Sequence, residues 1–208
     1  MIKHISMKHG WFYFYRIHTA KASTLINDDL KPLNDFLEEM YTSCPHDLFT
    51  IGPRSSSLTF NLDIEQFEIK NHETCYLASE ALEKMDKYKA NHSKVEVFML
   101  ERDNKTVAVE VPIWLNHDEL ELYEKLFSTN EPLSGHIDIL RIEDNKIWIW
   151  DYKPKAHKEK YAHVQTLFYA IMLSKRTGID LKHFRCGYFD EFTSYVFNPC
   201  YTLLDSIK

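Results

Sequence analysis

Two aspartates and a lysine in the second half of the chain, Asp138, Asp151 and Lys153, stand where a single β-hairpin would bring them to one point. Residues 135–143 and 146–153 are rich in strand formers and flank Asp144-Asn145, a pair suited to a two-residue turn because both types tolerate positive φ. With those two residues as the turn, Glu143 faces Lys146. An antiparallel ladder conserves the sum of paired residue numbers, so Asp138 falls opposite Asp151 and His136 opposite Lys153. Side chains alternate, so Asp151 and Lys153 project together while Trp148, Trp150 and Tyr152 project to the other side. Opposed Cβ atoms lie about 5 Å apart, close enough for both carboxylates to bind one cation. Two like charges facing each other would otherwise destabilise the sheet, and carboxylate oxygens are the hard ligands that Mg2+ or Mn2+ prefers. Taken singly, either acid reads as a hydrated strand-end residue or a partner of Lys153. The metal reading rests on the combination.

The elements that must hold this hairpin are legible to different degrees. A strand is expected over residues 11–17. A helix is expected over 28–41, with Leu30, Leu33, Leu37 and Tyr41 at helical spacing and Cys44-Pro45 beyond its end. Ile64, Phe67, Ala78, Ala81, Leu82 and Met85 predict a long helix over 63–89 with a break point near Asn71. Residues 95–101 and 105–115 read as two strands of a hairpin around Arg102-Asp103-Asn104, and 118–127 as a short helix. Residues 159–177 keep a helical stripe that Gly178 would cap, and strands are expected over 183–189 and 193–197. This order predicts an α/β domain, a mixed central β-sheet covered by helices.

Against that framework, Gly135-His136-Ile137-Asp138, then Asp151-Tyr152-Lys153, then Gln165 through Tyr169 resemble the successive GxxD, (D/E)xK and QxxxY motifs of RecB-type PD-(D/E)XK nucleases. The resemblance covers roughly residues 63–197 and implies the αβββαβ core of that family within 63–208, with 1–62 an amino-terminal extension packed on it. It implies that Asp138 and Asp151 ligate Mg2+ or Mn2+, with the Tyr152 backbone carbonyl as a further ligand. Lys153 would orient or activate the attacking water and stabilise charge on the phosphate. Products would be a 5′-phosphate and a 3′-hydroxyl. Glu110, in the apolar strand Val107-Ala108-Val109-Glu110-Val111, matches the family's upstream acid, and such a glutamate is costly to bury without a partner. For the family's helical histidine, His72 is favoured, with Glu73 and Glu80 as rivals. Gln165 and Tyr169, four apart on one helix face, would contact substrate. Some family members hold an iron-sulfur cluster on one early and three late cysteines. Here only Cys186 and Cys200 are late and no CxxC occurs, so no cluster is expected; His72-x-x-Cys75 resembles half a zinc site without a second half.

Composition bounds the remaining readings. With 208 residues and 44% hydrophobic content, one compact domain is expected. The apolar cluster at 11–15 is too short to span a bilayer and no leader is evident, so an intracellular, membrane-free protein with reduced thiols is expected. A formal charge of −6 excludes a generally sticky nucleic-acid coat, so any DNA surface must be local. The run Lys153, Lys155, Lys158, Lys160 with His157 and His163 is one candidate, with Lys155 and Lys158 as substrate-binding residues; a solvated loop is the plain alternative. The expected activity is a deoxyribonuclease in replication, repair or recombination, with single-stranded DNA, flaps or ends as substrates. It would act alone, as a homo-oligomer, or beside a separate helicase, since no helicase motif is present. The competing readings are a scaffold that binds nucleic acid without chemistry and a metal-free protein-interaction domain.

Overall fold

In the computed structural model, which describes residues 1–206, the chain opens with strands β1 (Ile2–His9) and β2 (Trp11–His18), joined at Gly10 with φ 78°. Helices α1 (Thr19–Leu25) and α2 (Lys31–Ser43) follow, then β3 (Phe67–Lys70), α3 (Glu73–Lys84) and α4 (Asn91–Arg102). Next come β4 (Thr106–Leu115), α5 (Tyr123–Phe127), β5 (Leu133–Glu143), β6 (Lys146–Tyr152) and α6 (Ala162–Thr177), and finally β7 (Phe184–Phe189) and β8 (Thr193–Phe197). All eight strands form one mixed sheet in the order β1-β2-β4-β5-β6-β7-β8-β3, parallel only between β6 and β7. The run α4, β4, β5, β6, α6, β7 is the αβββαβ core.

Two hydrophobic layers cover the sheet. On one face Leu33, Phe36, Leu37 and Met40 of α2 and the almost wholly buried α6 pack on Val111, Ile113, Ile137, Leu140, Ile147 and Ile149. On the other, Ala78 and Ala81 of α3 and Val95, Phe98 and Met99 of α4 pack on Val109, Ile139, Trp150, Tyr152 and Phe189. The β5–β6 turn is as the sequence demanded: Asp144 and Asn145 take φ 49° and 58°, Glu143 pairs with Lys146, and the ladder runs to Ile139↔Trp150. Gly178, at φ 71°, closes α6 by donating its N–H to the Ser174 carbonyl.

Two expectations fail, each for a physical reason. Residues 95–101 are helical, inside α4, and no hairpin turns at Arg102-Asp103-Asn104. Val95 through Leu100 are all buried, so the run shows no amphipathic period. Such a run fits a buried strand or a buried helix equally, and Glu96, Met99 and Leu100 are good helix formers. The long helix over 63–89 is only α3; Phe67–Lys70 instead pairs along the edge of β8, and Asn71 at φ 58° turns the chain into the helix. In the first third the strand expected over 11–17 is β2 and the helix expected over 28–41 is largely α2, while β1 and α1 go unread because β1 has no alternation strong enough to read. Among the described residues no helix is long and apolar enough to cross a membrane.

The close approach of β7 to the sheet's tryptophan depends on a missing side chain. A Cβ on Gly187 would stand 2.5 Å from Trp150 Cζ3 and 2.8 Å from the Tyr195 carbonyl oxygen. Gly187→Ala should therefore overpack this layer and lower the urea-unfolding free energy by about 1–3 kcal/mol; an unchanged midpoint would show that Trp150 can move away.

Candidate active site

Side chains on a strand alternate, so residues two apart should share a face. At one rung of the sheet they do not. In β4, Val109 belongs to the α3/α4 layer and Val111 to the α2/α6 layer; in β5, Ile139 and Ile137 divide the same way. The register Val109↔Ile139 and Val111↔Ile137 puts Glu110 beside Asp138 at the switch. Glu110 holds φ 49°, an unusual backbone for a side chain inside a strand and one that marks a strained position. Its carboxylate accepts a short hydrogen bond from the Phe14 N–H of β2. The β5–β6 ladder, extended past Ile139↔Trp150, places Asp151 on the far side of Asp138.

Both helix layers reach this rung. From α4, His92 Nδ1 lies 3.4 Å from Asp138 Oδ2, and the same oxygen accepts from the Tyr152 N–H at 3.2 Å. Glu96, one turn after His92, is buried, and His92, Glu96 and Asp138 offer ligand atoms that all lie within 4.8 Å of one another. Asp151 is wholly buried and forms an ion pair with Lys153, whose Nζ is 2.7 Å from Oδ2. Asp151 Oδ1 and Glu96 Oε2 have no hydrogen-bond partner. Burial, then the charge of Asp138, raises the Asp151 carboxyl above the usual range. Burial also pushes Asp138 up, but the hydrogen bond and charge of His92, with Lys153, bring it below its ordinary value. Burial would depress the Lys153 ammonium, yet Asp151 and Asp138 outweigh it and hold the group protonated. Three acids gathered at one point, Glu96, Asp138 and Asp151, of which Glu96 and Asp151 each keep a buried oxygen without a hydrogen-bond partner, fit a divalent cation that takes oxygen and imidazole ligands.

The α6 side completes a cleft of about 170 Å³ lined by Glu110, Asp138, Lys153, Gln165 and Tyr169 together with Tyr13, Arg54 and Ser55 from the amino-terminal segment. Gln165 Nε2 donates to Tyr169 Oη at 2.8 Å. A Cβ on Gly135 would come 2.2 Å from Ser55 Oγ and 2.6 Å from Tyr169 Cε1, so only glycine lets Tyr169 and Ser55 close over β5 there. Asp138, Asp151, Lys153, Glu110, Gln165 and Tyr169 are thus brought together. Lys155 and Lys158 are not: both are exposed on the loop beyond Lys153 and neither lines the cleft. His72 is also elsewhere, capping α3 through the Thr74 N–H and facing Trp150. Glu73 pairs with Arg141 and Lys105, and exposed Glu80 with Lys84. His92 and Glu96 were missed because a strand reading of 95–101 leaves His92 in a loop and hides their i,i+4 spacing.

Sequence reasoning also missed a row of imidazoles running outward from the cleft. Arg54 Nη2 lies 3.3 Å from His136 Nδ1, His136 Nε2 is 2.8 Å from His9 Nδ1, and His9 Nε2 is 2.8 Å from His46 Nδ1. A guanidinium only donates. His136 must therefore carry its proton on Nε2 and His9 on Nε2, each donating to the next ring. Tyr13 stacks on His136 with centroids 3.6 Å apart. With Cys44, His9 and His46 make the other metal-capable group among the described residues, but both His9 nitrogens are engaged, with His136 and His46.

A family model described as the PD-(D/E)XK nuclease superfamily matches residues 60–192, well over half of the chain. No curated protein and no solved structure matches it.

Protonating a buried ring of the imidazole row sets donor against donor. Burial, followed by His46 and Arg54, lowers His9 from 6.5 to about 4, and burial with His9 and Arg54 lowers His136 as well. A depressed histidine pKa contributes stability above its unfolded value that is lost as pH falls toward the folded one, here between 6.5 and about 4. Urea titrations of wild type and His9→Gln across that window should show wild type losing roughly 2–3 kcal/mol more than the variant; parallel curves would exclude the row as the cause.

Proposed function

This chain belongs to the PD-(D/E)XK nuclease superfamily, and from that premise we propose that it is a divalent-metal-dependent deoxyribonuclease of the RecB type. It hydrolyses DNA phosphodiester bonds in replication, repair or recombination, on single strands, flaps or ends, alone or beside a separate helicase. The observation that carries this reading is Asp151: a wholly buried acid beside Asp138, its Oδ2 held by Lys153 at 2.7 Å and its Oδ1 without a hydrogen-bond partner. Two acids this close exceed what the single Lys153 ammonium offsets, and a bound divalent cation would offset the remainder.

Asp138, Asp151, Glu110 and the Tyr152 carbonyl would hold Mg2+ or Mn2+, with His92 in the role expected of His72. When bound, the cation supplies positive charge that polarises a phosphoryl oxygen and acidifies a water. Lys153, kept as an ammonium by its two aspartates, is a charge stabiliser and not a base. It faces the phosphate as negative charge develops there. Tyr169, kept a phenol by burial and fixed by Gln165, donates toward the same group and orients the backbone. A water oxygen bonds to phosphorus as the bond to the 3′ oxygen breaks, leaving a 5′-phosphate and a 3′-hydroxyl. Lys155 and Lys158, outside the cleft, attract DNA by charge alone.

The test is cleavage of end-labelled single-stranded, duplex and flap DNA with Mg2+, with Mn2+ and with chelator. Wild type should cut only with metal, and Lys153→Ala should cut about 100- to 1000-fold more slowly while its circular-dichroism spectrum stays that of the folded wild type. Calorimetry should show Mn2+ binding that Asp138→Asn abolishes. Metal binding and DNA binding without cutting of any substrate would replace this reading with that of a scaffold that kept the fold and lost the chemistry.

A further inference from the structure

We propose that the β1–β2 hairpin is a binding platform for single-stranded DNA that leads an unpaired strand to the Asp138 site; this rests on the nuclease reading for the direction of travel, not for the binding itself.

Charge in this chain is segregated. The first 27 residues contain Lys3, Lys8, Arg16 and Lys21 and not one Asp or Glu, while the remaining 181 residues carry a net −10. The hairpin places part of this charge on one surface. Its register pairs His4 with Arg16, Ser6 with Phe14 and Lys8 with Phe12, and alternation sends these six side chains to the same side. The opposite side, with Met7, Tyr15 and Ile17, is buried. Arg16 is half-buried and the other five are exposed.

Aromatic side chains on this surface and at the turn are open to water: Trp11 is 76% exposed, Phe12 57% and Phe14 43%. Three such rings within four residues, on a hairpin that carries basic groups and no acid of its own, suit a polyanion that also offers flat apolar faces. In duplex DNA those faces are covered by neighbouring bases; in an unpaired strand they are free to stack on protein rings. Phe12 and Phe14 are two residues apart on a strand, about 7 Å, roughly twice the 3.4 Å step of a stacked helix. Each ring can therefore take a base of an extended strand, but not of a duplex stack. The Arg16 guanidinium lies over the Phe14 ring, 5.5 Å from its centroid, adding charge to the same surface.

The platform is continuous with the cleft. Phe14, in the platform, donates its N–H to Glu110, which lines the cleft; Tyr13, on the hairpin's opposite side with Met7, lines it too and is hydrogen-bonded to Arg54 at 3.1 Å. A second groove, lined by Trp11, Tyr13 and Arg54, shares Tyr13 and Arg54 with the cleft, so the hairpin turn and the acids border one path.

The test is fluorescence anisotropy of a labelled oligothymidylate of about 15 nucleotides, against a duplex of the same length and the matching oligouridylate, on the full chain in chelator. Phe12→Ala/Phe14→Ala should weaken oligothymidylate binding at least tenfold while leaving duplex binding, Mn2+ calorimetry and the thermal midpoint as in wild type. Lys8→Glu should weaken it too and flatten its salt dependence. Oligothymidylate binding unchanged in both variants overturns the proposal, as does a wild-type dimer that the aromatic variant converts to monomer with DNA binding intact. Tighter binding of oligouridylate than of oligothymidylate overturns the assignment to DNA. Binding lost in the aromatic variant, with no cleavage by wild type under any metal, supports the platform while removing the nuclease reading. Cleavage that needs Lys153, with oligothymidylate binding indifferent to the hairpin, does the reverse.

Discussion

Alternation is what lets a sheet have two faces, and the break in that alternation at Glu110 and Asp138 is the constraint around which this protein is arranged. Had β4 and β5 kept their faces throughout, one of the two helix layers would have been shut off from Asp138. Because both strands invert at the same rung, His92 and Glu96 approach from α4 while Lys153, Gln165 and Tyr169 approach on the α6 side. The left-handed backbone of Glu110 is the local cost of this arrangement, of order 1–2 kcal/mol, and the packing of two layers on either side holds it in place.

Electrostatically, the rung is the opposite of the ionic cluster at the other end of the same strands. There, wholly buried Arg141 meets Asp103 and Glu73, and Lys105 meets Glu73 and Glu143, so each carboxylate has a cation beside it. Around Asp138, four carboxylates from Glu96, Glu110, Asp138 and Asp151 face one ammonium, one imidazole and the flank of Arg16. A structural ion-pair network has no reason to leave such an imbalance; acids gathered at the floor of a cleft suit a cation.

The sequence was most informative where local chemistry and long-range geometry are the same thing. Asp144-Asn145 determines its own turn, and the turn determines every pairing up the hairpin, so the Asp138–Asp151 apposition could be deduced by counting. Gln165 and Tyr169 were legible for the same reason, through helical spacing. His92 was not, because burial on all sides erased the period of α4. Nor was the share of the amino-terminal segment, since Tyr13, Arg54 and Ser55 reach the cleft through contacts across 80 or more residues that no local pattern records. Lys155 and Lys158 look like substrate ligands in a linear reading of the basic run, but the chain leaves the cleft immediately after Lys153.

The amino-terminal hairpin adds to the sheet beside β4 instead of standing apart from it. The family match begins only at residue 60, so it describes a unit that could not be cut out and kept. Excision there would strip β4 of its neighbour, leaving an apolar strand from the centre of the sheet as a raw edge with unpaired amides, open to pairing with any other extended chain. It would also remove Leu33, Leu37 and Met40 from over the sheet. The stretch that the family model covers and the stretch that precedes it are, mechanically, a single object.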